Sequence, residues 1–286
     1  MASKCFSTTD ENRKISDFAF HYYECNACGL IFLGNIPDKL QKYYPDNYYY
    51  IPSDINELGS IAKPESYKLD ILKSFCQNGH LLEIGPSSGA FSYLAQQAGF
   101  DVTTIEMNKA CCDFLNRSAG IKSFHCDNEI EKLSELSQFD VIVLWHVIEH
   151  LNNPWQMIEA AHEHLISEGI LILAAPNPDA VQFRLQGKHW VHIDAPRHIY
   201  LLPPEFITRL TRSMGMTTLM QTTTDKGSLG WNRFGWQQFF ANRFTNSFAR
   251  KIAYFVGKVV TFLLYPLESS EGKGSAYTIV LQKNKS

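Results

Sequence analysis

Between His80 and Ala175 the chain alternates short apolar runs with stretches of helical pattern, and few folds accept that order. His80-Leu-Leu-Glu-Ile84 is an apolar run closed by a Gly/Pro/Ser turn. Asp101-Val-Thr-Thr-Ile105 is β-branched, and Ile121 to His125 gives a third run. Phe139 to Trp145 is the fourth and strongest, and Gly169 to Ala175 the fifth. Between them, Gly89 to Ala98, Asn108 to Ser118 with Asn108 as its cap, Glu129 to Leu136 and Pro154 to Ile166 read as helices. Unbroken apolar strands are buried on both faces, and their alternation with helices predicts βαβ units in a doubly wound, mostly parallel α/β sheet. Pro204 to Met214 predicts a further helix, and Thr217 to Thr224 and Ser275 to Leu281 two more strands, seven in all. Ligands of such sheets bind beyond the carboxyl ends of the strands, so the residues just after each strand are the candidates.

The first strand ends in Glu83-Ile-Gly85-Pro-Ser87-Ser-Gly89 and opens a helix. Small residues let a ligand approach the backbone there, and the helix start offers N–H donors. Glu106 ends the second strand, where a carboxylate can accept both hydroxyls of a ribose. Asp127 follows the third strand, and Trp145-His146 closes the fourth. These positions predict a nucleoside-containing cofactor. Gly85, Ser87 and Ala90 loosely match the dinucleotide fingerprint. Glu83, however, would repel a pyrophosphate and attract a cation. S-adenosylmethionine carries a sulfonium and no phosphate, so electrostatics favour it over NAD.

Residues 80–175 resemble the class I S-adenosylmethionine-dependent methyltransferases, whose first motif reads acid-x-Gly-x-Gly-x-Gly. Here it is Glu83, Gly85, Ser87 and Gly89, with serine for the middle glycine. Phe139-Asp-Val-Ile-Val-Leu-Trp-His-Val-Ile-Glu-His150 resembles the family's fourth strand and the turn after it. The resemblance implies a Rossmann-like methyltransferase fold that binds S-adenosyl-L-methionine through Glu83, Gly85, Ser87, Gly89, Phe91, Glu106, Met107, Asp127, Trp145 and His146. In the family, the acid at Glu106 holds the ribose and the one at Asp127 lies by the adenine. Trp190-Val-His-Ile-Asp194-Ala-Pro196-Arg197-His198-Ile-Tyr200 is similar to the signature of one branch. That branch includes relatives of quinol O-methyltransferases and enzymes linked to bacterial surface-glycan synthesis; Met216 stands where it usually has an aromatic. The implied activity is methyl transfer to a small molecule, a glycan or a lipid-linked acceptor, with oxygen as the expected acceptor atom. A catalytically silent scaffold is the alternative, disfavoured because Glu83, Glu106 and Asp127 are all present; a nicotinamide-dependent oxidoreductase is the other.

His146-Val-Ile-Glu149-His150 matches H-x-x-E-H, with which inverted zinc peptidases place two ligands and a base. That use needs the motif inside a helix, whereas here it straddles a strand end, with Asn152-Asn153-Pro154 directly after it. No metal is assigned to the site; a divalent metal on Glu149 and His150, in the manner of the quinol methyltransferases, is the alternative that the resemblance implies. His150 is the first candidate for a general base or orienting group, since an imidazole of pKa about 6.5 can take a hydroxyl proton. His192 and His198 compete for that role, and a hydrogen-bonded core position is equally open for His198. Methyl transfer from a sulfonium disperses charge, so positioning in a dry pocket supplies much of the acceleration.

The flanks add two features. Cys25-Asn-Ala-Cys28-Gly29 looks like one knuckle of a zinc ribbon, with Cys5 and His21 the only other ligands at hand. A degenerate ribbon over residues 1–50 is expected, ending in the aromatic run Tyr43 to Tyr50, which either packs on the sheet or closes over the substrate. Residues 51–286 form the cofactor-binding domain, and Cys111-Cys112 read as buried thiols in it. Before the last strand lies an insertion, residues 226–267, with six basic residues and no acid. Trp236, Phe240, Phe244 and Phe248 recur in it every four residues, which predicts one helical face. Two uses are open: contact with a membrane or an anionic, partly apolar substrate, or packing in the core or a dimer interface. Ile252 to Leu267 is short for a bilayer span and is broken by Lys258.

Composition bounds the rest. With 45% hydrophobic and 19% charged residues, 286 residues can bury a sizeable core, and a net charge of −3 argues against a nucleic-acid partner. Seven irregularly spaced cysteines and no apolar leader in Met1 to Lys14 predict reduced thiols in a cytoplasmic protein, peripheral at the inner membrane surface if the insertion makes that contact.

Overall fold

The computed structural model describes residues 1–45 and 47–285. The chain opens with three antiparallel strands, β1 (Ala2–Thr8), β2 (Phe20–Cys25) and β3 (Ile31–Leu33). Two short helices follow, α1 (Ile55–Ala62) and α2 (Ser66–Lys73). The alternating region then runs β4 (His80–Ile84), α3 (Ala90–Gln97), β5 (Asp101–Glu106), α4 (Lys109–Phe114), β6 (Lys122–His125), α5 (Glu129–Ser134) and β7 (Phe139–Trp145). It continues with α6 (Pro154–His164), β8 (Leu165–Pro176), α7 (Val181–Gln186), β9 (Tyr200–Leu201), α8 (Pro204–Ser213) and β10 (Met216–Thr222). The chain closes with α9 (Lys226–Ala241), α10 (Ser247–Glu268) and β11 (Ala276–Lys283).

Seven strands form the central sheet in the order β10-β11-β8-β7-β4-β5-β6, and β11 runs antiparallel to both neighbours. The other pairs are parallel, as the alternation predicts. The unbroken apolar runs are explained by two cores. Leu82, Ile142, Leu144, Leu171 and Leu173 face Met157 and Ile158 of α6 on one side. Leu81, Val141, Val143, Ile170 and Ile172 face Leu72, Phe91 and Ala95 on the other.

Boundaries shift where local chemistry overrides pattern. Asp54 caps α1, and a one-turn 3-10 segment at Lys63–Glu65 leads from it into α2. Asn108 caps α4 as expected, accepting from the Cys111 N–H at 3.0 Å, but the helix widens into a π turn from Leu115 to Ala119. Cys111 and Cys112 are buried on it.

The N-terminal strands are not free-standing. β9 pairs with β3 and completes a four-stranded sheet in the order β1-β2-β3-β9. Cys25 and Cys28 share the β2–β3 turn, yet Cys5 Sγ approaches the Glu24 carboxylate and His21 Nδ1 pairs with Ser7 Oγ at 2.8 Å. The suggested ligand set Cys5, His21, Cys25 and Cys28 therefore does not converge.

The insertion is a helical hairpin of α9 and α10, and it corrects the aromatic stripe. Asn246 accepts from the N–H groups of Phe248 and Ala249 and starts a new helix, so the four aromatics do not share one face. Trp236 is buried on α9, its indole donating to Glu268 Oε1 at 2.8 Å, while Phe248 is exposed on α10.

Candidate active site

Because β7, β4, β5 and β6 are parallel neighbours, their carboxyl ends lie side by side at one edge of the sheet, the crevice in which such folds take their ligands. After β4 the backbone turns sharply through Gly85 (φ 67°), Ser87 (φ 53°) and Gly89 (φ 82°). All three are left-handed, a conformation that costs a non-glycine residue roughly 1 kcal/mol, and Ser87 bears that cost. A Cβ on Gly85 would strike Val147, and one on Gly89 would strike Leu115, so neither position can grow. Glu83 is buried and accepts a bond from the Ser92 hydroxyl; burial raises its pKa to about 7. Glu106 accepts from the N–H of Ser87 at 2.9 Å and of Asn108 at 2.6 Å, and burial likewise raises it to about 7. Each of its oxygens keeps a second lone pair for an incoming hydroxyl. Met107 is exposed beyond it, and Asp127 is exposed after β6. Phe91 lies in the core, edge-to-face with Trp145 at 5.5 Å, so its side chain supports the loop from beneath. Two buried carboxyl groups beside a small-residue turn suit a ribonucleoside that carries positive charge. In their ionised forms they would repel a diphosphate.

Next to this crevice a cavity of about 500 Å³ is lined by Arg13, Tyr48, His146, Glu149, His150 and Trp231, among others. His146 has a left-handed backbone (φ 57°) and stacks on Trp231 at 4.0 Å; burial holds its pKa well below the usual range. Residues 148–150 form a single 3-10 turn, so H-x-x-E-H is not on an α-helix and the peptidase arrangement is absent. His150 is half-buried, with Nδ1 3.0 Å from the Arg197 carbonyl and 3.1 Å from the Tyr44 hydroxyl. A carbonyl can only accept, so Nδ1 carries the proton and Nε2 is the free, basic nitrogen. Burial lowers this imidazole to about 3, which keeps it neutral at ordinary pH.

His192 and His198 are more deeply placed. His198 Nδ1 donates to the His192 carbonyl at 2.8 Å, and His192 Nε2 donates to the Trp231 carbonyl at 3.0 Å, tying the loop after α7 to α9. Burial holds both near 4. Glu149 is fully buried, neither oxygen has a hydrogen-bond partner, and burial raises it to about 8. Its ligating atom and those of His150 and His198 lie within 4.8 Å of one another, the one such grouping among the described residues.

A buried ion cluster fastens the cavity wall. Arg197 donates to Asp194 through Nε and Nη2 at 2.8 Å, to Asp10 at 2.7 Å and to the Tyr43 carbonyl at 3.2 Å. The N-terminal segment thereby brings Tyr44 to His150. Tyr48 packs edge-to-face on Tyr44 at 4.9 Å, and burial, followed by the nearby Glu106 carboxylate, raises the phenol of Tyr49. The aromatic run thus spans both chambers; its Asp46 lies outside the described residues. The sequence marks this run and the Trp231 region without giving Tyr44 or Trp231 a place, and nothing local marks Asp10.

Residues 54–221 match the model of a family described as a methyltransferase domain. The ubiquinone biosynthesis O-methyltransferase of Rickettsia canadensis (strain McKiel) is 28% identical over 170 residues, covering 58% of this chain and 67% of that protein. Among solved structures, an S-adenosylmethionine-dependent methyltransferase from Archaeoglobus fulgidus aligns with a TM-score of 0.55 at 14% identity, covering 78% of this chain and 94% of that one. The geranyl diphosphate C-methyltransferase of Streptomyces coelicolor A3(2), solved with S-adenosyl-L-homocysteine, aligns at 0.51 with 15% identity, covering 77% and 76%. At such identities the two structures speak for the fold.

Proposed function

The chain belongs to the methyltransferase-domain family and is an S-adenosylmethionine-dependent methyltransferase, and we propose that it methylates an oxygen atom of a small-molecule, glycan or lipid-linked acceptor held in the aromatic cavity. Glu83, the Gly85–Gly89 turn, Glu106 and Asp127 would hold the donor, with Glu106 on the ribose hydroxyls. Met107, Trp145 and His146 border that site, and Phe91 packs beneath it. When bound, the cofactor supplies an electrophilic methyl carbon. The chain's own residues orient the acceptor, exclude water and remove one proton.

The observation that carries this reading is His150. Its Nδ1 is pinned by the Arg197 carbonyl, it stays neutral, and its Nε2 is free on a half-buried ring lining the acceptor cavity. Such a nitrogen can accept the hydroxyl's hydrogen bond and orient its oxygen toward the methyl carbon, taking the proton once C–O bond formation and S–C bond cleavage have made it acidic. His192 and His198 are positioning residues in this account, since each spends a ring nitrogen on a backbone carbonyl. Oxygen is favoured by the likeness to an O-methyltransferase.

The test is to supply methyl-labelled S-adenosylmethionine to the protein in an extract of its own cell and isolate the labelled product. A methyl ether or ester is expected; a methyl on nitrogen or carbon would overturn the assignment. With the product in hand, His150→Gln should lower kcat by about 10²- to 10⁴-fold with donor affinity unchanged. One specific observation favours a second reading. Glu149, His150 and His198 form a carboxylate–imidazole set suited to a divalent transition metal. Activity lost on chelation and restored by a divalent cation would make those three residues ligands.

A further inference from the structure

Helix α10 is built inside out. Toward α9 it presents small residues, Ala249, Ala253 and Gly257, of which Ala253 and Gly257 are buried. A Cβ on Gly257 would lie 2.6 Å from Gln237 Cα, so the two backbones nearly touch. The large side chains point outward instead. Phe248, Ile252, Phe255, Val259 and Phe262 follow a 4-3-4-3 spacing, and the three phenylalanines are 72%, 65% and 80% exposed. Val256 and Leu263 widen the stripe and are exposed too. A helix on a water-facing surface does the opposite, and a contiguous apolar stripe of this kind marks a contact with something other than water.

Charge decides what the contact is. Lys251 and Lys258 flank the stripe, Arg243 and Arg250 lie toward its N-terminal end, all four are exposed, and no acid occurs between Lys226 and Leu267. A second copy laid along the 4-3-4-3 seam would bring these cations together without the acidic flanking residues that pair such helices. Anionic lipid headgroups would neutralise them, with the lysine stems lying along the apolar surface.

We propose that the outer face of α10 docks in the headgroup region of an anionic lipid bilayer, the helix lying in the membrane plane. No helix among the described residues is long and apolar enough to cross, so the contact is with one surface. The hairpin also reaches the reaction chamber, because Phe234 and Gln238 of α9 and Asn242 of the turn line the acceptor cavity. Docking would hold the cavity beside the bilayer, where a lipid-linked acceptor resides. The inference goes beyond the methylation reading and does not depend on the acceptor atom or on His150.

Vesicle flotation of the full chain tests it, with vesicles of phosphatidylcholine alone or of equal parts phosphatidylcholine and phosphatidylglycerol. Co-flotation with the phosphatidylglycerol vesicles is expected, weakening as salt is raised. The double variant Phe255→Ser/Phe262→Ser should keep the parent's melting temperature and S-adenosylmethionine affinity, yet bind vesicles at least about tenfold more weakly. Lys251→Glu/Lys258→Glu should abolish the preference for phosphatidylglycerol. The proposal fails if the parent does not float, or if the phenylalanine variant floats as well as the parent. It also fails if the parent is a non-floating dimer that the phenylalanine variant converts to monomer, which would give the face to a second copy.

Discussion

Glu106 makes the most local of the chemical demands in the crevice. Its carboxylate gathers the Ser87 and Asn108 N–H groups and is almost fully buried, yet keeps lone pairs free. Glu106→Ala removes the acceptor for a ribose diol, and donor affinity measured by calorimetry should fall about 10- to 100-fold, the worth of a charged hydrogen bond or two. Unchanged affinity would take Glu106 out of the site. This residue was legible in the sequence because strand, acid and turn are adjacent in the chain. Ser87 was legible only in part: its small size is evident, but not that it occupies a left-handed backbone, which explains why glycine is the commoner residue there. Tyr44 was not legible, since its bond to His150 joins residues 106 positions apart and rests on the Arg197 contacts behind it.

At the scale of elements, strands buried on both faces declared themselves, because continuous apolarity has few other uses. The α9–α10 hairpin did not. Periodicity shows that apolar residues repeat, not which side of a helix faces inward, and the every-fourth aromatic run crosses a cap at Asn246 that ends the count. The Thr245-Asn246-Ser247 triplet was the available sign. The inner face yields a prediction. Gly257→Ala sets a methyl group against the Gln237 backbone, which cannot rotate away, and should destabilise the hairpin by about 1–3 kcal/mol. Hydrogen exchange should quicken in α9 and α10 while the central strands stay protected; uniform loss across the sheet would mean that the hairpin does not open by itself.

Across the whole molecule, burial moves several carboxyl groups and imidazoles toward their neutral forms. Glu83, Glu106, Glu149 and Glu268 sit at about 7, 7, 8 and 7, above the ordinary 4.5, so the folded chain binds protons that the unfolded chain releases. Their contribution is present below pH 4.5 and is lost as pH rises through 7 to 8. His150, His192 and His198 lie near 3, 4 and 4, below the ordinary 6.5, so their contribution is present above pH 6.5 and is lost on acidification. The donor-free protein should therefore melt highest between about pH 4.5 and 6.5, where the two trends oppose, and lower on either side. Calorimetry across pH checks this; a melting temperature still climbing at pH 8 would mean that the carboxyl groups are ionised in the fold.

Arg197 gives the molecule one further property. Its guanidinium is satisfied only when Asp10 and the Tyr43 carbonyl arrive from the start of the chain to meet Asp194. A molecule caught with its parallel strands assembled and its opening strands adrift would have a berth for the methyl donor and no finished chamber opposite. The two halves of the reaction thus draw on different stretches of the chain, and the second is complete only where its beginning and its middle meet.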